Sequence, residues 1–215
     1  MNAQKVIEYR GVDNVVVAEV ITDDNEESGG YITGTVKPLV PAAEVSKETE
    51  TSSEVKHYDN RAALVINSEG PDKVSITGAG MDIEVLAWIK GASYDPTTGA
   101  MIEGKRKERY FAVGYRTMDT DGNYRCVWRY KGTFAPPVEA AATVDNGTDG
   151  KGTELEYTGI HTNHIFQKGT LLDDGKWEPG TVKGMVVDSG KGLADLTTFF
   201  DKVTTPDDLT AKTSA

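Results

Sequence analysis

The stretch that decides the fold is YFAVGYRTMDTDGNYRCVWRYKGTFAPP, residues 110–137. From Tyr124 to Phe134 the even positions Tyr124, Cys126, Trp128, Tyr130 and Phe134 are apolar or aromatic, whereas the odd ones include Arg125, Arg129 and Lys131. A period of two is that of a strand with one face on a core. Asp121-Gly122, between this run and the apolar run before it, is a strong hairpin signal. The stretch therefore predicts two antiparallel strands, core on one side and a row of cations on the other.

Strand signals continue in both directions. Asn14 to Thr22 is rich in β-branched residues and ends at an acidic, glycine-containing turn, after which Tyr31 to Val36 can return as a hairpin partner. Glu44 to Val55 alternates but is polar on both sides, with Glu48, Glu50 and Glu54 opposite Lys47, Thr49 and Thr51. Such a strand buries little in a monomer, which leaves a loop, an exposed edge or the wall of a wet channel. His57 to Lys73 reads as a long excursion with turn residues at both ends. Thr153 to Thr162 alternates again, placing Glu154, Glu156 and Thr158 opposite Leu155 and Tyr157. A further hairpin is expected across Asp173-Asp174-Gly175, joining Ile165–Leu172 to Thr181–Val187.

Two helices are expected. Met81, Val85, Trp88 and Ile89 share one face, Asp82 and Glu84 suit the positive end, and Gly91 can supply a left-handed cap. Leu193, Leu196, Phe200 and Val203 recur at helical spacing near the end of the chain. The sum is a mainly β, antiparallel sandwich or partly closed barrel with a flanking α-helix and a short C-terminal helix. Residues 1–203 form one domain, and 204–215, with little to bury, form a flexible tail.

Composition narrows the function. With 215 residues, 38% of them hydrophobic and 27% charged, the chain suits one soluble domain, and no apolar run reaches bilayer length. No apolar segment follows a basic start, so the chain is expected to stay in the cytoplasm in which it is made. One cysteine, Cys126, excludes an internal disulfide framework and reads as a small buried hydrophobe. The net charge of −11 argues against a protein that grips nucleic acid by its phosphates. Residues 103–131 nevertheless hold eight Lys or Arg against four Asp or Glu, a local +4 that leaves −15 elsewhere, a division suited to self-association.

Catalytic and metal motifs fail on inspection. Asp145 to Glu156 imitates a calcium loop but has glycine at a ligand position and is preceded by Pro136-Pro137 and followed by a strand, where a calcium hand needs helices. His161 and His164 would point to opposite faces of a strand. No GxSxG anchors a triad with the three histidines, and the glycine pairs at 78/80 and 190/192 lack the third glycine of a dinucleotide loop. The run GKRKER, Gly104 to Arg109, lacks interleaved aromatics and reads as a solvated loop or a subunit contact. No catalytic residue, metal site or cofactor is assigned, and an enzyme is not expected.

Taken in order, several segments resemble the major tail protein family of phages with long, non-contractile tails. They are KHYDN (Lys56–Asn60), the helix followed by Lys90-Gly91, YRCVWRYKGTFAPP (Tyr124–Pro137), DDGKW (Asp173–Trp177) and FFDKV (Phe199–Val203). The ordered set, not any one motif, carries the likeness. The glycine-rich Val144 to Gly152 and the polar end after Val203 depart from the pattern, and no immunoglobulin-like C-terminal module is present. The resemblance implies a tail tube subunit: a virion protein, made in the host cytoplasm, forming hexameric rings stacked around the channel through which double-stranded DNA passes. It implies partners in tape measure, tail terminator and distal tail proteins, and no membrane insertion. It also implies a loop bridging one ring to the next, for which His57 to Asp72, with His57, Tyr58, Asp59, Asn60 and Arg61, is the candidate.

In such a ring the polar strand becomes reasonable, because neighbours pair its edge and one face lines water. Six copies would carry −66, so cations are expected at the seams, and Arg125, Arg129 and Lys131 are assigned there. Glu48, Glu50, Glu54, Glu154 and Glu156 are the candidates for the lumen, where like charge keeps DNA from adhering. The rival class is a β-sandwich receptor- or glycan-binding module of a virion, which would show clustered exposed aromatics.

Overall fold

The computed structural model describes residues 7–24, 30–58, 61–137 and 152–212. Alternating sequence becomes one nine-stranded antiparallel sheet. Its spine runs β2 (Tyr31–Thr33), β1 (Tyr9–Asp23), β8 (Tyr110–Asp119), β9 (Tyr124–Phe134), β10 (Thr153–Ile160), β5 (Arg61–Gly78) and β4 (Ala42–Tyr58). β3 (Lys37–Pro38) adds to β1, and β13 (Gly184–Asp188) adds to β9. The sheet curls until β4 approaches β1, so it is the partly closed barrel rather than two stacked sheets. Two small hairpins stand outside it: β6 (Ser93–Asp95) with β7 (Ala100–Ile102), and β11 (Phe166–Leu171) with β12 (Trp177–Gly180).

The concave side is closed by α1 (Ile83–Lys90), capped by the Asp82 carboxylate, which accepts from the Glu84 N–H at 2.9 Å, and by left-handed Gly91. Met81, Val85, Trp88 and Ile89 insert among Val17, Ile76, Val113, Leu155 and Tyr157, as the helical spacing predicts. Aromatic rings continue the packing edge-on from Trp88 to Phe111 (centroids 5.0 Å apart) and from Phe111 to Phe134 (5.6 Å). Each large side chain buried here stabilises the fold by about 1.5–3 kcal/mol. On the convex side Cys126, Trp128 and Tyr130 meet Leu196, Phe199, Phe200 and Val203. β9 is thus covered on both faces.

Five expectations are corrected. Phe134 leaves the face of Trp128 and Tyr130 for the concave core, because β8 and β9 slip register between Val113↔Arg129 and Phe111↔Gly132, and the extra residue reverses the alternation. The same irregularity lets β9 change partners, β13 binding Arg125–Arg129 and β10 binding Lys131–Phe134. Hence Gly184–Asp188 joins β9, and the hairpin across 173–175 stops at Gly180. The stripe Leu196, Phe200 and Val203 does dock, but on successive turns bonded Phe199 N–H to Leu196 O and Asp201 N–H to Thr198 O, not on a helix, and Leu193 is exposed.

The end of the chain is tied down as far as Lys212. Thr204 is buried and its carbonyl accepts the Tyr130 hydroxyl at 2.9 Å. The Asp207 carboxylate accepts the Gln167 and Lys168 N–H groups at 2.9 Å, and Ala194 bridges Ala211. A tail starting at 204 is flexible only if its polar residues have no partners, and here they cap the β11–β12 hairpin. The excursion His57–Lys73 is likewise not a loop where it is described: from Arg61 it is strand, the first two-thirds of β5 returning along β4. The polar alternation of both strands is satisfied by their mutual backbone pairing, with no core required.

Candidate functional site

Among the described residues β4 is the last strand of the sheet, so one side of its 17-residue backbone pairs β5 and the other is an open edge. Register places Glu154↔Thr77, Glu156↔Ser75 and Thr158↔Lys73 across β10 and β5, and Glu44↔Thr77, Ser46↔Ser75 and Glu48↔Lys73 across β4 and β5. Paired residues share a face, so Glu44, Glu48, Glu154 and Glu156 stand on one polar surface, opposite the one that carries Val74, Ile76, Leu155 and Tyr157 into the core. Glu50 joins them from an irregularity in β4, with a carboxylate oxygen 2.7 Å from the Lys73 ammonium. That ammonium is held above its ordinary pKa, first by the Glu50 hydrogen bond and charge, then by Glu156 and Glu48. Three carboxylates, Glu48, Glu50 and Glu156, thus act on one cation, with Glu44 and Glu154 farther along the same surface. Of the five lumen candidates, four lie on this surface; Glu54 lies farther out and pairs with Lys56.

Beyond Thr51 the two strands leave the sheet. β10 pairs β5 only from Asp72 to Gly78, while β4 and β5 pair each other out to Tyr58↔Arg61. The result is a two-stranded arm with no third strand among the described residues. Val55, Tyr58, Leu64, Val65 and Ile66 are exposed on it, Tyr58 at 64%. His57 pairs Ala62 near its end, and Asp59 and Asn60 lie outside the described residues.

The cationic row of β9 is used inside the chain. Arg125 packs its guanidinium over the Tyr9 ring at 3.9 Å and donates to its hydroxyl. Lys131, almost wholly buried, lies 2.5 Å from Asp23, whose carboxylate also accepts the Asn163 and His164 N–H groups. Burial raises the Asp23 pKa, but Lys131 and those two amides outweigh it and leave it lowered. Arg129 lies 3.3 Å from Asp72. Asp72, 2% exposed, also meets Lys47 at 3.2 Å, Lys183 at 3.8 Å and the Thr49 hydroxyl at 2.7 Å. Its pKa too is lowered, because Thr49, Lys47 and Arg129 outweigh burial. Arg129 and Lys131, expected at a seam, are instead engaged within the chain.

Asp72 and Lys183 were missed in the sequence, although one signal was there. Asp72 shares the core-facing parity of Val74 and Ile76 in VSI, so a carboxylate at that position has to find buried cations. Lys183 carried no such mark. His161 approaches the Thr181 hydroxyl at 3.4 Å and His164 the Asp24 carbonyl at 2.9 Å, in a turn after β10 and not on a strand. Among the described residues no three His, Cys, Asp or Glu side chains converge as metal ligands, and no helix is long and apolar enough to cross a membrane. An open groove lined by Arg106, Glu108, Arg109, Tyr110, Thr133 and Thr158 adjoins the acidic surface, Thr158 belonging to both.

Compared with known proteins, the chain matches no family model and no curated sequence.

Proposed function

We propose that the chain is a structural subunit of a phage tail tube, working by self-assembly into stacked hexameric rings around a channel for DNA. The observation that carries this reading is β4: a long strand whose outer edge no described strand pairs, an acidic outer surface, and an arm whose Val55, Tyr58, Leu64, Val65 and Ile66 the described residues leave exposed. Open edges of this length are adhesive, and monomeric proteins cover or shorten them. A contact between the edge of one copy and a different surface of the next is heterologous and closes into a ring when the rotation fits. The acidic surface then faces the passage, where it repels phosphate. Tape measure, terminator and distal tail proteins are the partners this role requires. Negative-stain microscopy of the concentrated protein tests it: rings or tubes are expected, and a persistent monomer at all salt concentrations and on a tail-tip primer overturns it.

One feature favours a second reading, a receptor- or glycan-binding module. On the β11–β12 hairpin Leu171 pairs with Trp177, and both are about half exposed, 55% and 49%. Retention of a monomer on immobilised glycans, lost in Trp177→Ala, would favour it.

A further inference from the structure

The arm joins the body through one irregular step. Thr49 pairs Asp72 and Thr51 pairs Glu69, so Glu50 on one strand faces Gly70 and Pro71 on the other and the ladder is interrupted. Pro71 has no N–H to give, and Gly70 presses so closely on Glu50 that an added Cβ would lie 3.1 Å from the Glu50 Cβ. Interrupted pairing with proline and glycine is where a two-stranded ribbon bends. Beyond it lie about eight residues per strand, an arm of roughly 25 Å that turns on this step.

One body residue reaches across. The Lys183 ammonium donates to the Glu69 carboxylate at 2.6 Å and to the Gly70 carbonyl at 2.6 Å, holding both residues on the arm side of the step. Its own backbone is fixed: the Lys183 carbonyl accepts the Tyr130 N–H at 3.0 Å, and Gly184 begins the pairing with Arg129. The side chain is largely buried, at 11% exposure. Arg129 and Lys47 hold Asp72 on the body side of the same step.

We propose that Lys183 is the positioning residue of the arm: it fixes the angle at which the β4–β5 ribbon leaves the body, so that the arm reaches a second copy already aimed. The inference rests on the tail-tube reading for its purpose but not for its geometry. Aiming matters because an arm free to swing must lose that freedom on docking, which weakens association.

The test uses the full-length chain with spin labels at Ser53→Cys on the arm and Glu154→Cys on β10, read by pulsed electron–electron resonance on the monomer. The parent should give one narrow distance distribution. Lys183→Met and Glu69→Gln should each broaden it about twofold, Glu69→Gln without lowering the melting temperature, and both should slow tube growth at least tenfold. An unchanged width in Glu69→Gln overturns the proposal, even if Lys183→Met fails to fold. A broadened distribution with tube growth at the parent rate overturns the aiming role. If the parent itself builds no tubes while the variants broaden, the tail-tube reading fails and the Lys183 latch stands.

Discussion

Asp72→Asn is the substitution whose effect the structure fixes best. Asn keeps the shape and can still accept from Thr49, but removes the charge that Arg129 and Lys47 face and that Lys183 shares with Glu69. Arg129 is hard to compensate: its Nε is already buried without a hydrogen-bond partner among the described residues, and its side chain is 12% exposed. Removing one member of a buried pair costs about 3–5 kcal/mol, because the remaining charge is left uncompensated. For a chain of this size each kcal/mol shifts the melting temperature by about 2–4 °C, so a fall of roughly 6–20 °C is expected at pH 7.

The pH dependence has a definite sign. The Asp72 pKa is lowered in the folded state, so its contribution is present above the ordinary carboxylate value and lost as pH falls through the depressed one. The parent should lose stability steeply on acidification, the variant less so, and the difference should close at low pH. Circular-dichroism melts from pH 7 downward measure both curves. A fall under about 2 °C at pH 7, equivalent to less than 1 kcal/mol, or a difference that widens in acid, refutes the reasoning. Arg129→Met in the Asp72→Asn background should recover part of the loss, since a well-packed apolar replacement of a buried pair is often close to neutral.

Four further outcomes follow from single contacts. Gly114→Ala would place a Cβ 2.9 Å from the Trp128 ring and should cost about 1–3 kcal/mol by overpacking, seen in denaturant melts. Truncation after Val203 removes the carbonyl that accepts the buried Tyr130 hydroxyl and the Asp207 cap of the β11–β12 hairpin, so a loss of at least about 2 kcal/mol is expected, where a frayed tail would give none. Cys126 is buried on the convex side, and burial raises its thiol pKa; thiol reagents at pH 8 should modify it only at the rate of unfolding. Glu48→Lys with Glu50→Lys should leave tube formation intact but slow DNA ejection, and ejection at the parent rate removes these residues from the channel.

What the sequence made legible was local. The β8–β9 hairpin, the α1 cap and stripe, and the alternation of Glu154 and Glu156 against Leu155 and Tyr157 are each set within a dozen residues by periodicity and turn chemistry. What stayed hidden depended on distant partners. A one-residue bulge in β9 cannot be read from its own alternation, yet it sends Phe134 to the other core and splits the strand between β10 and β13. Lys131 looked like a surface cation because Asp23, which neutralises it, is 108 residues away. The arm looked like a loop because its two strands satisfy each other while burying almost nothing, and burial is the signal that patterning detects.

The destination of those cations changes the electrostatic argument for assembly. Lys131, Arg129 and Lys183 neutralise Asp23, Asp72 and Glu69 within the chain, which leaves the open β4 edge beside five carboxylates and one lysine. Charge on a strand edge is how proteins prevent indiscriminate pairing, because a strand arriving with carboxylates of its own is repelled. The same charge makes the edge selective: it favours an arriving surface that carries cations not already paired within its chain. Exposed Lys105 and Lys107 flank Arg106, which lines the groove next to Thr158 and donates to the Phe134 carbonyl at 2.8 Å, on the stretch whose surplus was evident from composition. In the tail-tube reading the seam is expected to draw on Lys105 and Lys107 rather than on β9. The cationic row that first suggested assembly serves instead to hold the subunit together, and to anchor the base from which its arm extends.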